Sequence, residues 1–86
     1  MWDNTFLVVS SDNGGPAGSA NNWPLRGWKF SDLEGGVRVS AFITGGALPE
    51  ARRGVVLDSY LHVTDWFVTL LAAAGLPSDA TDGELR

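Results

Sequence analysis

An apolar run, Phe6-Leu7-Val8-Val9, is followed closely by Asp12-Asn13-Gly14-Gly15. Adjacent carboxylate and amide oxygens are what hard divalent cations such as Ca2+ and Mg2+ take as ligands. Glycines directly after them let the backbone turn tightly and clear a site. Asp, Asn and Gly are equally the ordinary makers of an Asx-turn, so the dipeptide alone admits both readings. Lys29, the sole lysine, stands between Trp28 and Phe30. Aromatic neighbours fix its stem, and an ammonium held in this way meets an oxyanion such as sulfate or phosphate as a point charge. The alternative is a solvated loop lysine.

Other chemistries find fewer residues. His62 is the sole histidine and cysteine is absent. There is thus no thiol nucleophile, no disulfide and no His/Cys zinc set. His62 precedes a helical pattern and is expected to make a hydrogen bond within the fold. Glu34, before Gly35-Gly36, reads as a surface carboxylate at a turn more readily than as a general base. Asp58 and Asp65 cap or solvate, and Arg38 is expected to pair with a carboxylate such as Glu34. The glycine-rich stretch from Gly14 to Ser19 lacks the Gly-Lys-[Ser/Thr] ending of a P-loop. The EF-hand spacing is absent, and no Ser/His/Asp set can be assigned.

The elements that must position these groups follow from pattern. Phe6–Val9 is continuous and partly β-branched, which predicts a strand buried on both faces, as in a parallel sheet. Asp12-Asn13 would then lie at its carboxyl end, where open α/β sheets bind ligands. Residues 16–27 form a long loop of the kind that is usually functional. Val37, Val39, Ala41 and Ile43 alternate, predicting a second strand over 37–43. Residues 44–54 form a loop, and 55–63 read as extended. Thr64 has the character of an N-cap and Asp65 suits the first helical turn. Phe67, Leu70, Leu71 and Ala74 share one helical face, and Gly75 fits the C′ position with Pro77 beyond. The order is strand, long loop, strand, loop, helix: an α/β chain of one small domain over residues 1–86, with a loose polar tail over 78–86. Two strands and one helix close no core alone, so the chain is expected to be part of something larger or to associate.

Composition narrows the partners. The formal net charge is -4, with arginines scattered, so there is no basic stripe for nucleic acid. No apolar run reaches the roughly 18–20 residues of a membrane span. Residues 1–4 lack the basic and apolar regions of a signal peptide. Glycine is frequent, at 11 of 86 residues, about twice the usual ~7%. Its pairs at 14–15, 35–36 and 45–46, with Trp, Phe, Leu and Val between, argue for shaped loops.

Four stretches in order, "SDNGG", "NNWPLRGWK", "LEGGVRVSAF" and "HVTDWFVTLLAAAGLP", resemble the type I sulfatases, nearest the arylsulfatase B (N-acetylgalactosamine-4-sulfatase) group with its arylsulfatase I and J relatives. The resemblance spans roughly Asn4 to Gly83. It implies a partial alkaline-phosphatase-like α/β fold and hydrolysis of sulfate esters by a formylglycine, with a calcium ion holding the sulfate. Carried over residue by residue, it implies calcium ligation by Asp12 and Asn13 and a sulfate contact by Lys29. Glu34 to Arg38 match a segment taken as structural, and no catalytic role passes to His62. Asp32, Leu33, Ser40 and Val68 depart from the family pattern and bear on packing, not on the three site residues.

The formylglycine motif C/S-x-P-x-R does not occur in the chain. The resemblance therefore implies the later part of a catalytic domain, completed by the rest of that domain, with no catalytic residue of its own and no turnover alone. A secreted or lysosome-like setting follows if a full-length form keeps to the family. The competing readings are a non-catalytic interaction module or pseudo-enzyme remnant, and a phosphatase or phosphodiesterase of the same superfamily.

Overall fold

The computed structural model describes residues 1–77, and the tail expected over 78–86 lies outside them. The chain divides into two units, Met1–Val55 and Val56–Arg86. The first contains strand β1 (Leu7–Ser10), a single helical turn α1 (Glu34–Val37) and strand β2 (Ala41–Thr44). The second contains helix α2 (Asp65–Ala73).

β1 pairs with β2 antiparallel, with Leu7 opposite Thr44, Val8 opposite Ile43, Val9 opposite Phe42 and Ser10 opposite Ala41. The ladder is prolonged at one end by the Ser11 N–H donating to the Ser40 carbonyl (3.1 Å). At the other end the Ala47 N–H donates to the Thr5 carbonyl (3.2 Å). The expected strand is thus present, shifted by one residue, but two expectations fail. The pairing is antiparallel rather than parallel. Leu7, Val9, Phe42 and Ile43 are all exposed rather than buried. An apolar run without alternation shows that both faces of a strand suit apolar cover. It carries no information about strand direction, and here the long Ser11–Ser40 connection returns β2 in the opposite sense.

The second expected strand is also corrected. Val37 ends a helical turn, and only Ala41–Thr44 is extended in the ladder. Alternation over 37–43 lost to backbone hydrogen bonding. The Gly35 N–H donates to the Arg26 carbonyl (2.8 Å), the Gly36 N–H to Leu33 (2.7 Å) and the Arg38 N–H to Glu34 (2.8 Å). Gly35 and Gly36 are buried by these neighbours.

Residues 55–63 form no strand. The expected helix is present, and Leu71 on its predicted face is buried. Its C-terminus follows the expected chemistry. Gly75 has φ of +75°, the Gly75 N–H donates to Ala72 (3.0 Å) and the Leu76 N–H to Leu71 (2.9 Å). Together these are the two bonds of a Schellman motif. The N-terminus does not follow the expected chemistry. Thr64 has helical dihedrals and no side-chain cap bond. Its hydroxyl instead meets His62 Nδ1 at 2.9 Å, while the Asp65 carboxylate accepts the His62 N–H at 2.8 Å. His62 thus makes the local hydrogen bonds expected of it, at an exposed position.

Candidate functional site

The segment after β1 is shaped by short-range bonds. Ser11 Oγ donates to the Asn13 carbonyl (2.9 Å), and Asn13 Nδ2 donates to the Gly14 carbonyl (3.0 Å). Asp12 is exposed and Asn13 half-buried. Among the described residues no donor reaches the Asp12 carboxylate or Asn13 Oδ1 at hydrogen-bond distance. The amide nitrogen is therefore engaged, while the oxygens of both side chains are left as acceptors.

Gly14 locks this corner onto α1. It is buried, and its N–H donates to the Gly36 carbonyl at 2.8 Å. A Cβ at Gly14 would overlap the Gly35 carbonyl oxygen, so the approach of these two backbones needs a residue without one.

Gly15 joins the corner to the lysine. Its carbonyl accepts the Lys29 N–H at 3.1 Å. Asn22 clamps the same residue from both sides: the Gly15 N–H donates to Asn22 Oδ1 (2.8 Å) and Asn22 Nδ2 donates to the Gly15 carbonyl (2.9 Å). Asn22 Nδ2 also reaches the Gly27 carbonyl (3.2 Å). One side chain thereby imitates a strand partner for Gly15 and ties the loop over residues 16–27 at both ends. Sequence reasoning placed Asn22 only within a loop. A bond across seven residues leaves no local spacing signal, though an amide inside a glycine-flanked loop is a plain hint of this use.

Lys29 is half-buried, and its Nζ lies over the Phe30 ring, 5.5 Å from the centroid. Arg38 Nη1 stands 3.7 Å from Glu34 Oε2, the expected pair, with both side chains more than half exposed. An open groove of about 500 Å3 runs beside the corner, lined among others by Asn13, Asn22, Trp23, Arg38 and Ser40. Among the described residues no three His, Cys, Asp or Glu side chains gather as a metal cluster. The structure thus brings Asp12-Asn13 and the Lys29 backbone into one hydrogen-bonded assembly. Neither Glu34 nor Arg38 is bonded to the site residues.

Over 75 residues the chain is 40% identical to Arylsulfatase J of Mus musculus, covering 86% of this chain and 12% of that protein. Over 80 residues it is 40% identical to a protein named Sulfatase from Formosa agariphila, covering 88% of this chain and 14% of that one. The likeness is to sulfatases. It extends over most of this chain, which spans only about an eighth of the length of these relatives. No family model matches the chain. No solved structure matches it either.

Proposed function

We propose that this chain is a segment of a calcium-dependent sulfatase catalytic domain of the arylsulfatase B type, with an alkaline-phosphatase-like architecture completed by other parts of that domain. The observation that carries the reading is the Gly15 knot. The residue after the Asp12-Asn13-Gly14 corner accepts the Lys29 N–H and is clamped by Asn22. Two oxygen ligands and one cation therefore belong to a single backbone assembly rather than to independent loops. Likeness to two sulfatases over the same residues supports it.

In this reading Asp12 and Asn13 hold Ca2+ through their side-chain oxygens. The donor set fits, because Ca2+ takes carboxylate and amide oxygens and the Asn13 amide nitrogen is already turned to the Gly14 carbonyl. When bound, the ion neutralises sulfate charge and polarises its oxygens. Lys29 places a further positive charge where negative charge gathers as the S–O bond breaks. The nucleophile, a formylglycine in the sulfatase reading, is not supplied by this chain, which has no C/S-x-P-x-R sequence. The substrate class is a sulfate ester.

The decisive experiment replaces the matching stretch of Arylsulfatase J with this chain and measures aryl sulfate hydrolysis. Turnover retained in the chimera, lost with Asp12→Ala and reduced at least tenfold with Lys29→Ala, is expected. A chimera whose turnover is indifferent to both substitutions would sink the proposal. The 86-residue chain by itself is expected to bind Ca2+ only weakly in calorimetry, since two of the roughly 6–8 ligand positions are protein. It is expected to show no turnover alone.

A further inference from the structure

Among the described residues Phe30 is the one non-glycine residue with positive φ, at +78°. It is the third residue of a tight turn in which the Ser31 N–H donates to the Trp28 carbonyl (2.9 Å) and the Trp28 N–H to Ser31 Oγ (3.1 Å). Glycine or asparagine ordinarily takes that position, and for a bulky side chain it is a true outlier. Within this chain burial does not explain the choice of an aromatic residue, because Phe30 is 95% exposed. What the ring does touch is the ammonium of the preceding residue, with Lys29 Nζ 5.5 Å from its centroid. That distance is within the range at which the negative face of an aromatic ring attracts a cation.

We infer that Phe30 is a positioning residue for Lys29: its left-handed backbone presents the ring as a rest for the ammonium, fixing where the single lysine offers its charge. The Lys29 main chain is already held, by its N–H to the Gly15 carbonyl on one side and by the Trp28–Ser31 turn on the other. The remaining freedom is in the four-carbon stem, and the ring restricts it. Strain that a glycine would relieve is retained where a side chain is needed. This inference rests on the reading of Lys29 as an oxyanion contact and adds how that contact is held in place.

Because Lys29 is the sole lysine, its ε-methylene resonance in the 86-residue chain is unambiguous by 1H–13C NMR. The ring should move that resonance upfield of its unstructured value. The shift should vanish in Phe30→Leu and in Phe30→Gly, and persist in Phe30→Tyr. Phe30→Gly should also resist denaturant at least as well as the parent, since it relaxes the backbone while removing the ring. That result separates loss of positioning from loss of folding. Titration with inorganic sulfate should displace the Lys29 resonance, with a midpoint several-fold higher in Phe30→Leu than in the parent. An unstructured ε-methylene shift in the parent chain, or one unchanged by Phe30→Gly, would overturn the inference. A ring-shifted resonance that ignores sulfate would instead overturn the oxyanion reading of Lys29 and leave the ring placement standing.

Discussion

The two units of this chain are held together by different physics. In Met1–Val55 the buried residues are Gly14, Gly35, Gly36 and Gly45, and backbone bonds between loops do the work that a hydrophobic core does elsewhere. In the unit beginning at Val56, a helix keeps the extent and the C-terminal end that its sequence predicts, with Leu71 buried on the predicted face and a Schellman motif at its end. Close backbone approach tolerates no added atom, whereas a helix is assembled from contributions of similar, modest size. The first unit should therefore respond to substitution as a block, the second by increments.

The largest effect is expected at Gly14. A methyl group there would meet the Gly35 carbonyl, and backbone cannot give way as a side chain can. Gly14→Ala should collapse the amide NMR signals of residues 11–37 toward unstructured positions, with a cost of about 3 kcal/mol or more. The α2 signals should be retained. Concerted loss of both would show that the contrast between the units is false.

Asn22→Ala comes next. It leaves the part-buried Gly15 N–H without its partner and removes the bonds to the Gly15 and Gly27 carbonyls. A destabilisation of about 1–3 kcal/mol is expected from such unmet groups, read as faster amide exchange at Gly15 and Lys29. Asn22→Asp should retain part of the protection, because the Gly15 N–H still finds an acceptor.

In the second unit, Gly75→Ala places a Cβ at φ of +75° and should weaken α2 by about 1–2 kcal/mol, read as fraying of its last turn in amide exchange. The smallest effect is expected at Arg38→Ala, which removes a solvent-exposed ion pair. Such pairs at i,i+4 are worth about 0.3–0.5 kcal/mol. Denaturation midpoints of the parent and variant should nearly coincide, and a larger shift would mean that Arg38 acts through the groove it lines rather than through Glu34.

Legibility followed the range of the interactions. Gly75, Leu71 and the extent of α2 were readable because their causes lie within a few residues. The Arg38–Glu34 pair was readable for the same reason. The Thr64 cap was misread because two side chains competed for the same turn, and the Asp65 carboxylate took the His62 N–H while Thr64 turned to the His62 ring. Asp12, Asn13 and Lys29 stood out as candidates by residue type, although a turn and a solvated lysine fit the same types. Their joining through Gly15, and the part played by Asn22, could not be read, because those bonds bridge loops whose contacts have no period. The expected strand over 37–43 failed for a related reason: its alternation was real, but local backbone bonds from Gly36, Val37 and Arg38 to Leu33 and Glu34 close a helical turn, which the Gly35 N–H and the Gly36 carbonyl dock on Arg26 and Gly14.

Sequence alone determined the inventory: one lysine between two aromatics, an Asp-Asn corner after an apolar run, a helix ended by a glycine, no cysteine and no formylglycine motif. These depend on residue identity and on spacing within a turn or two. Tertiary structure decided the antiparallel sense of β1 and β2, the seating of Gly14 against α1 and the gathering of the corner, Asn22 and Lys29 around Gly15. Strand direction and loop docking are set by which backbone groups find one another across the chain. That pairing is a property of the whole fold, and local preference does not encode it.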